Sequence, residues 1–455
     1  MNRASHWNKF AAPPPVELPA PAPAPDVVAP RSATTSTVAP PSVTRRQQLR
    51  LPHPRRWAAR FPLTTVALCA ALAGGVINLL LGTDPWLNPD SHSFEAIARS
   101  LLAGTGFVYR EPMFPSLPLY AFRSPGYSAF LALGLALGGV SAVVALQGAM
   151  HGVAAALVGS IAGRWAGARG AWLAFAMYMA WPAAWFHAGQ LMSESFFTFS
   201  MILTSWLVLR AKQHHGLRWA AAAGVVVAIA ILTRPAGLGF AAGAGLWLLL
   251  RYPRAAAVFA LSAVLAWAPW PIRNASRFHT FVPFLTGGGV AAWNAHSHGR
   301  PIDAWTWMSQ HTERGELGLD QHFRDETVKI IREDVPGFFH LMARGTLEYL
   351  GPLRERDPGA WLHRFALLAL LPAALWANWR RRLLLPALVW SGYALVLIPH
   401  AMHARYRFPT EWCVVVGAAI GLQAMAVHWG ARRTAGLAVG ALLLCIAFTV
   451  VVARA

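Results

Sequence analysis

Two carboxylates stand in settings where an acid could do chemistry. Asp90 follows Asn88-Pro89 and opens a helical pattern that ends at Gly104 and whose apolar face holds Phe94, Ile97, Ala98, Leu101 and Leu102. This pattern allows Asp90 to be either a helix N-cap or a general base. Glu194 lies about four residues inside an apolar segment, where a carboxylate is costly unless it faces a polar cavity or a partner. A functional role is therefore expected for Glu194.

Several arginines could hold a departing anionic group. Arg405 and Arg407 stand between two apolar segments, where a phosphate at the membrane interface could meet their guanidinium donors. The alternative for this pair is snorkelling at a helix end. Arg234 and Arg273 are similar candidates, whereas Arg123 could orient a phosphate or pair with an acid of its own loop.

The elements that carry these residues are apolar helices. Hydrophobic residues make up 56% of the 455 positions and charged residues 13%, so a bilayer must be the main solvent. The sequence predicts an all-α polytopic membrane protein of about eleven transmembrane helices, at 61–82, 141–163, 171–186, 190–209, 219–233, 236–250, 255–272, 361–377, 383–399, 408–428 and 435–452.

Basic residues fix the predicted orientation. With the N-terminus inside, every inside link is basic and none contains an acid, a pattern carried by Arg164, Arg169, Arg210, Lys212, Arg218, Arg251, Arg254, Arg380, Arg381, Arg382, Arg432 and Arg433. The net charge of +20 therefore indicates topology, and no nucleic-acid partner is expected.

The chain divides into four predicted parts. Residues 1–60 hold twelve of the 33 prolines and are expected to form a disordered Pro/Ala/Arg-rich cytoplasmic tail. A transmembrane module follows at 61–272 with a first outside loop at 83–140, then a second outside loop at 273–360 and C-terminal helices at 361–455. The two outside loops hold fifteen of the nineteen acids, so they carry most of the available chemistry.

The second outside loop offers three further features. Its histidines are irregularly spaced, which favours solvated side chains over a metal cluster at His296, His298, His311 and His322. The Gly287–Gly289 run predicts a flexible turn near a substrate cavity. The pattern from Asp320 to Tyr349 predicts surface helices interrupted at Pro336, which would form a lid over the first loop.

The order of these residues resembles the GT-C superfamily of membrane glycosyltransferases, in its aminoarabinose-transferase and protein-mannosyltransferase branches and in glycosyltransferase family 39. Asp90 precedes a helix ending in Leu102-Ala103-Gly104-Thr105-Gly106-Phe107. The motifs that follow are Arg123-Ser124-Pro125-Gly126-Tyr127, Ser193-Glu194-Ser195, Thr233-Arg234-Pro235, Trp270-Pro271-Ile272-Arg273-Asn274, Gly287-Gly288-Gly289 and Arg405-Tyr406-Arg407-Phe408-Pro409. The likeness covers roughly residues 61–430.

The resemblance implies a GT-C-like bundle that transfers a sugar from a polyprenyl-phosphate donor, with inversion, on the periplasmic face of a bacterial inner membrane. A lipid, glycan or protein would be the acceptor. Asp90 takes the place of the family's base, and Glu194 resembles a second acid that would bind the acceptor, position a cation or hold an arginine such as Arg123. No cofactor is implied with certainty, and a divalent cation stays open.

A transporter or lipid flippase is the alternative class, in which Glu194 and the arginines would line a pathway. The unequal outside loops and the lack of an internal repeat favour an enzyme. A scaffold subunit without activity is a third hypothesis, although Asp90 and Glu194 are both in place.

The topology is directly testable. Because every inside link is basic, we expect the tail inside, both long loops outside and the C-terminus outside. Reporter fusions at Gly315 and His214 should therefore report opposite compartments. Two reporters on the same side would overturn this orientation.

Overall fold

The computed structural model describes residues 60–213, 216–297, 303–350, 375, 384–397 and 404–440. A short antiparallel ribbon joins β1 (Tyr109–Arg110) to β2 (Pro118–Leu119). The rest of the regular structure in these residues is helical, which confirms the predicted all-α class. The helices are α1 Leu63–Leu81, α2 Asp90–Leu102, α3 Pro125–Met179, α4 Pro182–Ala188, α5 Ser193–Gln213, α6 Leu217–Thr233, α7 Gly237–Leu249, α8 Pro253–Trp267, α9 Pro269–Phe278, α10 Gly288–His296, α11 Ala304–Gln310, α12 Gly315–Glu333, α13 Val335–Leu350, α14 Leu384–Leu397 and α15 Glu411–Trp429.

A helix begins inside the segment 83–140 that is predicted as the first long loop. α3 starts at Pro125, where the fixed φ of proline suits the first turn of a helix, and its first kink lies next to the predicted start of the span at 141. Two kinks then divide α3, one at Gly138 and Gly139 and one at Gly167. Gly139 has φ +71° and Gly167 has φ +70°, a backbone conformation that favours glycine.

One predicted span is also divided. The span at 171–186 breaks at Ala180 and Trp181, and α4 then starts at Pro182, because proline cannot continue the preceding hydrogen-bond ladder. By contrast, α8 and α9 run on through Ala268, whose φ and ψ are helical.

Several helices suit a bilayer. Four stretches in the described residues are long and apolar enough to cross a membrane, and they are Leu63–Leu81, Pro125–Met179, Pro253–Phe278 and Phe408–Trp429. Shorter apolar helices lie at Leu217–Thr233, Gly237–Leu249 and Leu385–Leu397. The chain is therefore a multi-pass membrane protein, and the number of eleven spans stays a prediction.

Charge separates the two ends of these helices. Glu194 and Arg234 stand at one end of α5 and α6, and Arg210 and Arg218 stand at the other. Every acid in the described residues belongs to the long loops or, like Glu194 and Glu411, to the first turn of a helix at the same end. We call the two ends the acidic end and the arginine end.

The two long loops pack against each other at the acidic end. One apolar cluster draws on both loops and contains Ile97, Tyr109, Phe114, Leu119, Phe122, Val290, Trp293, Ala304, Met308, Leu319 and Phe323. The predicted interruption near Pro336 occurs at Asp334, between α12 and α13. The second long loop therefore covers the first.

Glu316 fastens this contact. Its carboxylate accepts hydrogen bonds from the backbone N–H groups of Tyr120 (2.5 Å) and Ala121 (2.8 Å) and from the Thr286 hydroxyl (2.5 Å). Burial raises the pKa of Glu316 above its usual value despite these three donors. Glu316, on α12, thus holds both the first long loop and the segment before α10 that contains Thr286.

Some predictions fall outside the described residues. They are the disordered tail, apart from Arg60, the span at 361–377 except Leu375, the outer parts of the spans at 383–399 and 435–452, the basic link Arg380–Arg382, and His298.

Glycines set the crossing of α1 and α3. A Cβ atom on Gly152 would collide with the carbonyl oxygen of Ala70, and one on Gly148 would collide with that of Gly74. Small residues allow helix backbones in a membrane to touch in this way.

Replacing Gly152 by alanine should force α1 and α3 apart and lower the free energy of unfolding by about 1–3 kcal/mol. Gly436→Ala is the matched control, because a Cβ there meets nothing within 4 Å. Thermal unfolding of the purified protein in detergent would measure both. Equal melting temperatures for the two variants would contradict this account of the crossing.

Candidate active site

Asp90 stands in the first turn of α2, but its carboxylate faces arginines. Asn88 Oδ1 accepts the hydrogen bond of the Asp90 backbone N–H at 3.0 Å. Asp90 Oδ1 accepts a hydrogen bond from Arg123 Nη2 at 2.7 Å, and Oδ2 lies 3.7 Å from Arg405 Nη2. No side chain of the described residues caps the start of α2, so the Asp90 carboxylate is not used as an N-cap and instead faces the two arginines.

Arg123 pairs with an acid of its own loop, which is one of the two roles that the sequence allowed. Its Nε donates to Ser93 Oγ at 3.0 Å, and its guanidinium lies 5.1 Å from the ring centre of Phe94 and 5.2 Å from that of Phe122. The contacts with these two rings, together with the hydrogen bonds to Ser93 and Asp90, fix the plane of the Arg123 guanidinium.

The charges around Asp90 decide its protonation. Burial alone raises the pKa of Asp90, but the nearby charges of Arg123 and Arg405 outweigh it, so the pKa lies below its usual value. Asp90 is therefore ionised at neutral pH and able to accept a proton.

Glu194 is buried next to Arg234. Its side chain is 0% exposed, and its Oε1 is 3.0 Å from Nη1 of Arg234. The partner is thus Arg234, whereas the sequence suggested Arg123. Arg234 in turn lies 5.4 Å from the ring centre of Tyr406. Glu194 does not line the cavity, but the guanidinium that it contacts does.

Arg407 and Arg273 lie elsewhere. Arg407 is 3% exposed, its Nε is 3.0 Å from Glu411 Oε1, and its Nη1 donates to the carbonyl oxygen of Tyr349. Arg273 donates to the carbonyl oxygens of Tyr120 (2.7 Å) and Phe107 (3.1 Å), where it supports the first long loop. Neither residue lines the cavity described below, so the structure does not bring them to the other predicted site residues, and their phosphate contact stays a prediction.

A cavity of about 590 Å³ opens between the two long loops and the helix ends. Four predicted site residues line it together, namely Asp90, Arg123, Arg234 and Arg405. The facing wall comes from α10, α11 and α13 and includes Asn294, Trp305 and Arg344, with Tyr406 beside Arg405. Gly287 also lines the cavity, as predicted, but the glycine run starts α10 instead of forming a flexible turn.

Sequence analysis missed Asn294, Trp305 and Arg344. They sit on ordinary helical patterns, and only the packing of the second long loop brings them to the cavity. The one available signal was Arg344, a basic residue within an acid-rich loop.

Two histidines of the second long loop pack on one tryptophan. Trp307 is stacked between His311 (4.0 Å) and His322 (3.9 Å), measured between ring centres. Burial lowers the pKa of His322. Within the described residues, no three His, Cys, Asp or Glu side chains come together as a metal-ligand group.

Comparison with known proteins places the fold. No protein-family model matches the sequence, and no curated protein sequence matches it. The oligosaccharyltransferase of Archaeoglobus fulgidus in the apo form matches with 13% identity over 87% of this chain and 54% of that chain, at a TM-score of 0.51. The same enzyme in complex with Zn and sulfate matches with 14% identity over 84% and 53%, at a TM-score of 0.52.

This chain therefore spans about half the length of the archaeal enzyme. ArnT from Cupriavidus metallidurans, solved bound to undecaprenyl phosphate, aligns with 15% identity over 80% of this chain and 78% of that chain, at a TM-score of 0.39. The predicted GT-C resemblance is confirmed at the level of the fold, which this chain shares with the archaeal oligosaccharyltransferase.

Proposed function

We propose that this protein transfers a sugar from a polyprenyl-phosphate donor to an acceptor hydroxyl, with inversion at the sugar carbon. The observation that carries the proposal is the cavity in which one ionised acid, Asp90, stands among Arg123, Arg234 and Arg405. A glycosyl phosphate needs both features, a base for the acceptor and positive charge for the departing phosphate.

The donor phosphate is assigned to Arg405 and Arg234. Arg405 is 29% exposed, and its distance of 3.7 Å to Asp90 Oδ2 is longer than a hydrogen bond. A donor phosphate can therefore compete with Asp90 for the Arg405 guanidinium. Arg123 keeps the shorter contact to Asp90. When Arg405 turns to the phosphate, Asp90 loses one of the charges that hold down its pKa and becomes a better base. Donor binding would in this way prepare the acid for its step.

The chemical step conserves its atoms and charges. The acceptor oxygen attacks the sugar carbon, and its proton passes to the Asp90 carboxylate. The bond from the sugar carbon to the phosphate oxygen breaks, and its electron pair stays on the polyprenyl phosphate. The arginines stabilise that added negative charge, so no separate general acid is required.

The cavity end is assigned to the periplasmic face of a bacterial inner membrane. The arginine end fits the cytoplasmic side by the positive-inside rule. A lipid-linked donor then follows, because nucleotide sugars are cytoplasmic whereas a polyprenyl chain can deliver sugar to the outer face. The acceptor class is a lipid, a glycan or a protein.

The assay that tests this function follows the leaving group. Membranes containing the full-length protein are supplied with a set of undecaprenyl-phosphate sugars, and release of undecaprenyl phosphate is measured by mass spectrometry. Release that requires this protein supports transfer or hydrolysis at the cavity. Movement of an intact lipid-linked sugar across liposomes, without release, would instead support a flippase.

Asp90→Asn is the first diagnostic variant. It keeps the size of the side chain but cannot accept a proton, so turnover should fall on the order of a hundredfold to ten-thousandfold while the protein still accumulates in membranes. Glu95→Gln is the control, since Glu95 is an acid of the same helix that pairs with Arg99 at the surface. Near-normal turnover of Asp90→Asn would remove the base from this position.

Arg405 and Arg407 should separate into two classes of effect. Arg405→Ala opens the cavity wall and should abolish most turnover with little change in melting temperature. Arg407→Ala leaves Glu411 buried without its cation and should cost about 3–5 kcal/mol of stability. Turnover per folded molecule and thermal unfolding, measured side by side, check both. The reverse pattern would place Arg407 at the phosphate.

A further inference from the structure

Tyr406 contacts two of the arginines that line the cavity. The guanidinium carbon of Arg405 lies 5.0 Å from the ring centre of Tyr406, and that of Arg234 lies 5.4 Å from the same ring centre. Both distances are within the range at which an aromatic ring attracts a cation. Tyr406 belongs to a short 3₁₀ turn at Ala404–Tyr406 and lines the cavity itself. One ring thus contacts two guanidiniums that come from distant parts of the chain.

This arrangement brings two positive charges to one wall of the cavity. Each guanidinium also meets a carboxylate, because Glu194 Oε1 lies 3.0 Å from Arg234 Nη1 and Asp90 Oδ2 lies 3.7 Å from Arg405 Nη2. The two like charges still repel each other, and the electron-rich ring of Tyr406 offsets part of that repulsion. Tyr406 therefore helps to hold Arg234 and Arg405 side by side.

The hydroxyl of Tyr406 is oriented by Arg405. Arg405 Nη2 donates a hydrogen bond to the hydroxyl oxygen at 3.1 Å. A guanidinium can only donate, so the oxygen accepts this bond and keeps its own proton for a second acceptor. Because Tyr406 lines the cavity, a ligand in the cavity can supply that acceptor.

We propose that Tyr406 is a further residue of the phosphate site: its ring positions Arg234 and Arg405, and its hydroxyl donates a hydrogen bond to an oxygen of the polyprenyl phosphate. This assignment rests on the proposed function. A phosphate offers several acceptor oxygens to one hydroxyl and two guanidiniums. As the bond to the sugar carbon breaks, negative charge grows on the phosphate and the hydrogen bond from Tyr406 strengthens, while the proton stays on the tyrosine oxygen.

The first test removes one oxygen atom. Tyr406→Phe keeps the ring beside both guanidiniums and loses only the hydroxyl. Full-length protein in detergent is titrated with undecaprenyl phosphate and, separately, with undecaprenol, and binding is followed by native mass spectrometry. The dissociation constant for undecaprenyl phosphate should rise about ten- to hundredfold in Tyr406→Phe, because a hydrogen bond to a charged group is lost. The dissociation constant for undecaprenol should stay the same.

Tyr120→Phe is the matched control. Tyr120 also contacts a guanidinium, with that of Arg277 3.7 Å from its ring centre, but it does not line the cavity. Its hydroxyl should therefore be dispensable for the binding of either lipid. The proposal would be overturned by an unchanged dissociation constant for undecaprenyl phosphate in Tyr406→Phe, by an equal loss with undecaprenol, or by an equal loss in Tyr120→Phe.

Turnover separates the hydroxyl from the ring. Because the hydrogen bond strengthens as the bond to the sugar breaks, Tyr406→Phe should lower kcat more than it raises KM for the sugar donor, with an unchanged melting temperature. Tyr406→Leu also removes the ring that Arg234 and Arg405 share, so its turnover should be lower still. Equal turnover in the two variants would contradict the positioning role. If Tyr406→Leu does not fold, the comparison of Tyr406→Phe with Tyr120→Phe decides.

Failure of this assignment and failure of the transfer reaction give different results. If the parent protein releases undecaprenyl phosphate from a sugar donor and Tyr406→Phe does so equally well, the transfer reaction stands and the role of Tyr406 falls. If the parent releases none, but undecaprenyl phosphate binds in a way that depends on the Tyr406 hydroxyl, the phosphate site stands and the transfer reaction falls.

Discussion

The constraint on which this structure depends is that a charge inside an apolar bundle must find an opposite charge. At the acidic end the chain meets it internally. Asp90 joins α2 to Arg123 and to Arg405, and Glu194 joins α5 to Arg234. These pairs connect segments far apart in sequence, so the same contacts that stabilise the bundle also gather the cavity.

The two long loops complete that end by apolar packing and by one buried acid. Glu316 holds backbone N–H groups of the first loop, and its neighbour Asp320 accepts from the N–H of Gly289 at the start of α10. The wall that carries Asn294 and Trp305 is therefore fixed relative to Asp90. The second long loop is thus fastened to the loop that it covers, and the cavity between them has defined walls.

Much of this arrangement could be predicted from the sequence, because hydropathy reflects the solvent around each segment and the spacing of apolar residues reflects the helical period. The apolar helices, the amphipathic helix behind Asp90 and the cluster of Asp90, Arg123, Arg234 and Arg405 could all be read from hydropathy, motif order and charge. The kinks of α3 fall next to the predicted span boundaries, with Gly138-Gly139 just before the span at 141–163 and Gly167 in the basic link that follows it, while most glycines of α3 stay helical. Whether a glycine bends a helix depends on its tertiary contacts.

The pair Arg405 and Arg407 shows where sequence reasoning ends. Both flank Tyr406 in one motif, and each has the same chemistry. Residues two apart in a tight helical turn point in different directions, so one guanidinium reaches the cavity and the other reaches Glu411. The two side chains differ in direction: Arg405 lines the cavity, whereas Arg407 is buried beside Glu411. Arg405 is therefore the member of the pair that a ligand in the cavity can meet, beside Asp90 at 3.7 Å and the Tyr406 hydroxyl at 3.1 Å.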